Sequence, residues 1–242
     1  MIDALIHKLN NYADFSCKEI NMLGSIFKET RHFSKGEPII TEGDKPSYVH
    51  MMIDGWSCRY KMLADGREQI LGYLIAGDMC DLHVTLLSKM DHSIRALTPV
   101  SVAFVPEDSI NQIIDEQPRL ARALFWSLMV DEAILRHWLL NIGLRDAESR
   151  IAHFFCEIML RFRANGLIKG FAFPMPLTQT QLGETMSLTP IHTNRVLQRL
   201  RQKELITLKN KELVILDWDG LKKAGEFEDG YLHFKESQIK EA

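Results

Sequence analysis

Residues 189–201 read Thr-Pro-Ile-His-Thr-Asn-Arg-Val-Leu-Gln-Arg-Leu-Arg, three arginines with no acid among them. Guanidinium groups cannot be deprotonated and each offers a planar fork of donors, so such a run suits phosphates or base edges. At about 100° per residue, Thr193, Val196, Leu197 and Leu200 fall on one arc and Ile191, His192, Arg195 and Arg199 on the opposite one. One face anchors the helix and the other is basic and outward.

The neighbouring residues place that helix. Thr189 is a natural cap, and Pro190 suits the first helical position, where its missing N–H costs nothing. Thr178, followed three residues on by Gln181, forms a capping box for a shorter helix with Leu182 and Met186 on its buried side. Ser187-Leu188 supplies a tight turn. Two capped helices about such a turn predict a helix-turn-helix whose second helix enters a major groove. Glu204–Leu216 reads as two strands around Lys209-Asn210-Lys211, a hairpin with a cationic tip in winged-helix position. Pro190–Lys211 holds six Lys or Arg and one acid, Glu204, although the whole chain carries a formal charge of −3. A locally positive surface on an acidic protein suits a polyanion.

Upstream, the texture divides the chain. With 242 residues it is long enough for one large or two modest domains, and 46% apolar content supports a packed core. Residues 1–30 look helical, with Ile2, Leu5, Ile6 and Leu9 on one face. From Phe33 to Pro106, short apolar runs (49–53, 57–63, 69–75 and 100–105) alternate with turn signals, predicting a compact antiparallel sandwich or barrel. After Pro118 no Pro or Gly occurs until Gly143. Ala121, Leu124, Leu128, Asp131, Leu135, Trp138 and Ile142 step by three and four, a heptad seam with one polar break that predicts pairing with a second copy. A second amphipathic helix follows, with Ile151, Phe154, Phe155, Ile158 and Met159 on one face and Gly166 as its stop. The expected division is 1–117, 118–144, 145–222 and a charged tail, 223–242.

Cys17, Cys58, Cys80 and Cys156 are scattered without a CxxC pair, which favours reduced structural thiols. The N-terminus lacks the pattern of a secretory leader, and no apolar run reaches bilayer length, so a cytoplasmic protein without a membrane partner is expected.

Taken in order, these segments resemble the Crp/Fnr superfamily of bacterial transcription regulators. Phe33-Ser34-Lys35-Gly36-Glu37, Asp65-Gly66-Arg67-Glu68-Gln69-Ile70-Leu71 and Gly77-Asp78-Met79 are similar to its β-roll effector domain, 118–142 to its dimerisation helix, and 178–201 to its DNA-reading motif. The resemblance implies an α+β architecture: an N-terminal antiparallel β-roll of the cyclic-nucleotide-binding jelly-roll type, a long dimerisation helix, and a C-terminal winged helix-turn-helix. It further implies a homodimer, not an enzyme, that binds double-stranded DNA at a palindromic operator under control of an effector, with RNA polymerase as a partner. Ile191, His192, Asn194, Arg195 and Arg199 would contact bases, and Thr178, Gln179, Thr180, Thr189, Lys209 and Lys211 phosphates. Arg195 stands where the family carries its base-reading arginine, and Ile191 where many members carry glutamate. Isoleucine cannot accept from cytosine but can touch a thymine methyl. Pro190, His192, Asn194 and Arg195 fit a Pro-x-His-x-Asn-Arg subgroup.

The resemblance places an effector pocket around Asp78, Cys80, His83, Asp91, His92 and Arg95. The cyclic-nucleotide branch has Arg-Ser for the phosphate where Met90-Asp91 stand here. An aspartate repels a phosphate, so cyclic AMP is not expected. An iron–sulfur cluster needs a tight N-terminal cysteine group, and Cys17 stands alone there. A carbon monoxide-sensing haem branch uses a histidine just after this glycine turn, where His83 stands, with Cys80 three residues before it. Haem or another metal in a gas or redox sensor is therefore the alternative, and a metal-dependent β-barrel enzyme a more distant one.

Overall fold

The computed structural model describes residues 2–45, 47–82 and 88–235. Two compact units divide between Met129 and Val130.

In the first unit, α1 (Asp3–Leu9) and α2 (Cys17–Ser25) replace the single helical region expected over 1–30. The break has a local cause. Ser16 accepts from the Glu19 N–H while the Glu19 carboxylate accepts from the Ser16 N–H at 2.8 Å, a capping box that starts a new helix. Among the described residues eight strands follow: β1 (Glu29–Phe33), β2 (Pro38–Ile40), β3 (Tyr48–Asp54), β4 (Ser57–Met62), β5 (Glu68–Leu74), β6 (Met79–Cys80), β7 (Ser93–Ala96) and β8 (Val100–Pro106). They form two antiparallel four-stranded sheets, ordered β1-β8-β3-β6 and β2-β7-β4-β5. Val49, Met51, Ile94, Val102 and Phe104 belong to the apolar core, which α1 closes with Leu5 and Leu9. The helix α3 (Glu107–Glu116), which the periodicity did not suggest, puts Ile110 and Ile113 into the same core.

The helix α4 (Pro118–Leu144) is continuous and contributes to both units. Its faces differ from the predicted seam. Leu124 is 4% exposed and joins the first unit's core, and Trp138 is 5% exposed and packs edge-on to Phe154. Leu135 of the seam does face outward, joined by Phe125 (63% exposed), Met129, Leu139 (68%), Leu140 and Leu144 (81%). Leu128, Asp131 and Ile142 are half-buried. The column 121, 128, 135, 142 is thus flanked by 125 and 139 rather than by 124 and 138. A helix that must also anchor its own units turns one predicted column inward.

In the second unit α5 (Ala147–Ala164) starts at Asp146, whose carboxylate accepts from the Glu148 and Ser149 N–H groups. It was expected to be amphipathic, but is buried along nearly its whole length, Glu157, Arg161 and Arg163 included. Around it lie β9 (Ala172–Pro174), α6 (Gln179–Met186), α7 (Pro190–Gln202), β10 (Ile206–Lys209), β11 (Glu212–Ile215) and α8 (Trp218–Ala224), with a sheet ordered β10-β11-β9. The stretch expected to begin a charged tail at 223 does not behave as one up to Lys235. A 3-10 turn, Asp229–Leu232, follows α8, and Phe227 and Leu232 are buried. Two apolar anchors and Tyr231 within six residues outweigh the surrounding charge.

Candidate nucleic-acid interface

Both caps read from sequence are formed. The Thr178 hydroxyl accepts from the Gln181 N–H at 3.1 Å, and the Gln181 side chain accepts from the Thr178 N–H at 2.9 Å. The Thr189 hydroxyl accepts from the His192 N–H at 3.2 Å, with Pro190 in the first turn of α7. Between the helices Ser187 takes a left-handed conformation (φ 54°). Gly183 was not foreseen as part of this joint. A Cβ there would lie 2.6 Å from the Leu188 carbonyl and 3.1 Å from Thr193 Oγ1, so only glycine lets the helices approach this closely. A glycine inside a helical pattern was the available signal.

The unit also holds the motif from behind. The Arg150 guanidinium of α5 donates to the Met186 carbonyl at 2.9 Å, closing the end of α6, and to the Arg145 carbonyl at 2.9 Å. Thr193, Val196, Leu197 and Leu200 are buried, as the wheel requires.

The outward arc is not uniform. Ile191 (69% exposed), His192 and Arg195 stand clear of the core on the first two turns of α7. Asn194 is half-buried, and its amide donates to Gln179 Oε1 at 3.1 Å, tying α7 to the first turn of α6. Arg199 lies beside α5: its Nε is 3.4 Å from Glu148 Oε2, and Lys203 pairs with the same carboxylate. Thr178, Gln179, Thr180 and Thr189 are exposed at the helix starts. The hairpin loop is the two-residue Asn210-Lys211, both with positive φ (52° and 61°), a twist that matches paired strands. Lys209 and Lys211 are exposed at its tip. The third strand, β9, was not read from sequence. It pairs Phe173 with Leu213 and buries Phe173, which fixes the hairpin against α5. Phe-Ala-Phe between Gly170 and Pro174 was its signal.

The described residues named for the effector pocket are each held by partners within the roll. Asp78 is buried and forms an ion pair with Lys8 of α1 at 2.8 Å, while its second oxygen accepts from the Ile75 N–H at 2.9 Å. The Arg95 guanidinium forks onto both carboxylate oxygens of Glu68 and lies 4.5 Å above the Tyr60 ring. Cys80 is buried on β6, opposite His50. His92 Nδ1 is 2.6 Å from Asp91, and its Nε2 is 3.5 Å from Asp81, which faces His50 Nδ1 at 3.5 Å on its other side. Burial works to raise the Asp81 carboxyl, but the facing imidazoles of His50 and His92 and the charge of Arg59 prevail and lower it. His83 lies outside the described residues. Among the described residues no group of three or more His, Cys, Asp or Glu is arranged to hold a metal ion, and no helix is long and apolar enough to cross a membrane.

Comparison with known proteins agrees with this geometry. Residues 30–117 match the family described as the cyclic nucleotide-binding domain, and residues 149–224 match the Crp-like helix-turn-helix domain. The transcriptional activator protein Anr of Pseudomonas protegens is 26% identical over 83% of this chain and 82% of its own length. The nitrogen fixation regulation protein FixK of Bradyrhizobium diazoefficiens is 26% identical over 77% of each chain. Among solved structures, FixK2 from Bradyrhizobium japonicum superposes with a TM-score of 0.72 at 23% identity, covering 81% of this chain and 96% of that one. These relatives are transcription regulators rather than enzymes. With an antiparallel β-roll, a long helix and a winged helix-turn-helix in that order, this chain belongs to the Crp/Fnr family of transcription regulators.

Proposed function

We propose that this regulator acts in the cytoplasm as a homodimer, reading a two-fold symmetric DNA site with α7 in the major groove of each half-site. The observation that carries this is the outward arc of α7: Ile191, His192 and Arg195 are exposed on a helix whose opposite arc is locked into the core. Arg195 forks onto guanine O6 and N7, Ile191 packs on a thymine methyl, and His192 donates or accepts according to its tautomer. Asn194 reads through or alongside its bond to Gln179, and Arg199 reaches a base only by leaving Glu148. Thr178, Gln179, Thr180, Thr189, Lys209 and Lys211 set the register on phosphates without reading sequence.

The dimer contact is the outward stripe of α4. It comprises Leu128, Leu135 and Ile142 of the predicted seam, now joined by Phe125 and Leu139, while Leu124 and Trp138 support it from within. Pairing there sets the spacing of the two α7 helices, which must match half-sites about 34 Å apart. The division of labour is residues 1–117 for effector response, 118–144 for pairing and 145 onward for DNA, with RNA polymerase as the downstream partner.

On this reading the effector is not cyclic AMP. The Arg95 guanidinium is already forked onto Glu68, and a carboxylate, Asp91, stands where the cyclic phosphate would need a donor.

Retardation of duplex DNA across a salt series tests this reading. Affinity falls steeply with salt. Neutralising Lys209 and Lys211 lowers the slope by about one for each phosphate no longer engaged, with sequence preference unchanged. Salt-independent binding would contradict it.

A further inference from the structure

The segment that follows the matched helix-turn-helix domain, residues 225–235, packs back on the second unit through polar groups as well as apolar ones. Gly225 rides directly on α5: a Cβ there would lie 2.6 Å from the His153 backbone nitrogen. The Tyr231 ring stacks on His137 of α4, with centroids 3.6 Å apart and planes 12° apart. The Arg145 guanidinium, one residue beyond α4, donates to the Glu226 carbonyl at 3.1 Å. The segment therefore touches α4, the Arg145 joint and α5 together, and α5 is the helix on which α6 and α7 are mounted.

Its polar centre is a chain of five groups. His153 Nδ1 lies 3.2 Å from the Gly225 carbonyl, and His153 Nε2 lies 3.1 Å from the Tyr231 hydroxyl. That hydroxyl lies 2.9 Å from Glu157 Oε2, and Trp138 Nε1–H donates to the same carboxyl at 3.2 Å. Proton conservation limits the arrangements. A carbonyl only accepts, so Nδ1 must carry a proton. The tyrosine has one proton and two neighbours. With every one of these contacts made as a hydrogen bond, either His153 is a cation and Glu157 an anion, or both are neutral, with the Glu157 hydroxyl donating to Tyr231 and Tyr231 donating to Nε2.

We propose that residues 225–235 form a latch that fixes the α4–α5 joint, and that the latch closes on neutral, protonated Glu157. Glu157 is fully buried, where separated charges are costly. Burial pushes its carboxyl up, against the charge of Arg161. Burial, with the charge of Arg145, pushes His153 down to about 3. The other charged or titratable groups that act on this chain are Asp131 and His137 of α4 and Cys156 of α5.

The pH dependence follows from these directions. Glu157 is raised, so its contribution is complete below the ordinary carboxyl value of 4.5 and is lost as pH rises through the folded value. His153 is lowered, so its contribution is complete above 6.5 and is lost as pH falls toward 3. The latch therefore weakens toward alkaline pH because of Glu157 and toward acid because of His153.

Amide hydrogen exchange of residues 225–235 in the full chain, corrected for intrinsic rates, measures the latch, and infrared spectroscopy reports a protonated carboxyl directly. The wild type should show the infrared band above pH 4.5, where an ordinary glutamate has ionised, and lose about tenfold in protection as the band disappears with rising pH, the effect of one hydrogen bond. Glu157→Gln, an amide that also donates, should keep the protection, lack the band and lose the alkaline dependence. Tyr231→Phe keeps the stacking and should lose about tenfold in protection throughout. Absence of the band from the wild type overturns the proposal whether or not the variants fold. So does Glu157→Gln loosening the segment as much as Tyr231→Phe, or Tyr231→Phe leaving it unchanged. None of these readouts involves DNA, so they stand apart from the base-reading role. The consequence for DNA does rest on that role: Tyr231→Phe lowers affinity without changing base preference.

Discussion

The β-roll and the recognition helix treat charge in opposite ways. In the first unit Lys8 and Asp78 are buried against each other, Asp81 sits between His50 and His92, and Arg95 is clasped by Glu68. On α7, Arg195 stands exposed on a helix whose other face is fully packed. Charges that hold a fold together are satisfied internally, because an unpaired buried charge costs several kcal/mol. Charges that meet an external polyanion have to remain accessible. Local partnering, more than residue type, separates the two roles. Arg199, which leans on Glu148, lies between them.

Substitutions can break this contrast in graded steps. The largest effect is expected at Lys8→Ala, which removes the ion-pair partner of a buried Asp78; denaturant unfolding should show a loss of about 3–5 kcal/mol. A loss below about 1 kcal/mol would mean the pair is not a structural charge pair. Arg195→Ala should behave in the reverse way. Stability should change by less than about 0.5 kcal/mol, while binding to the preferred site weakens by about 1–3 kcal/mol and binding to random duplex much less. Thr178→Ala removes a cap and should cost about 1 kcal/mol of stability in thermal or denaturant unfolding. Arg199→Ala sharpens the comparison most finely. Its exposed pair with Glu148 is worth about 0.2–1 kcal/mol, and its effect on sequence preference should fall well below that of Arg195→Ala.

Acid adds a further contrast. The Asp81 carboxyl is lowered, so its stabilisation is present above its ordinary value of 3.8 and is lost as pH falls below it. Asp81→Asn should flatten acid unfolding of the β-roll below that point while leaving the melting of a cap variant unchanged.

The sequence made the DNA-reading motif legible because its signals are local. The caps at Thr178 and Thr189, Pro190 and the two arcs of α7 depend on residues three or four apart, and the structure forms each of them. The architecture was legible from turn spacing in the roll and from an unbroken helix after Pro118. What was missed depends on distant partners. A heptad count could not show that Leu124 and Trp138 turn inward, because the phase of α4 is set by packing on Phe154 and the first unit's core. The burial of Glu157 on α5 depends on Tyr231, 74 residues away. Charge density alone marked 223–242 as a tail, and two aromatic anchors and a leucine undid that reading through Lys235. The partners of two residues named for the effector pocket were hidden for the same reason: Lys8 and Glu68, which hold Asp78 and Arg95, come from segments remote in sequence.

Selection of duplexes from a random pool, by the wild type and by Arg195→Ala in parallel, tests the central claim most directly. The wild type should enrich a two-fold symmetric sequence with half-sites one helical turn apart, and the variant should lose a guanine at the same position in both halves. Enrichment of no symmetric sequence, or of the same guanine by both proteins, would contradict the assignment of Arg195 and the outward arc of α7 to base recognition.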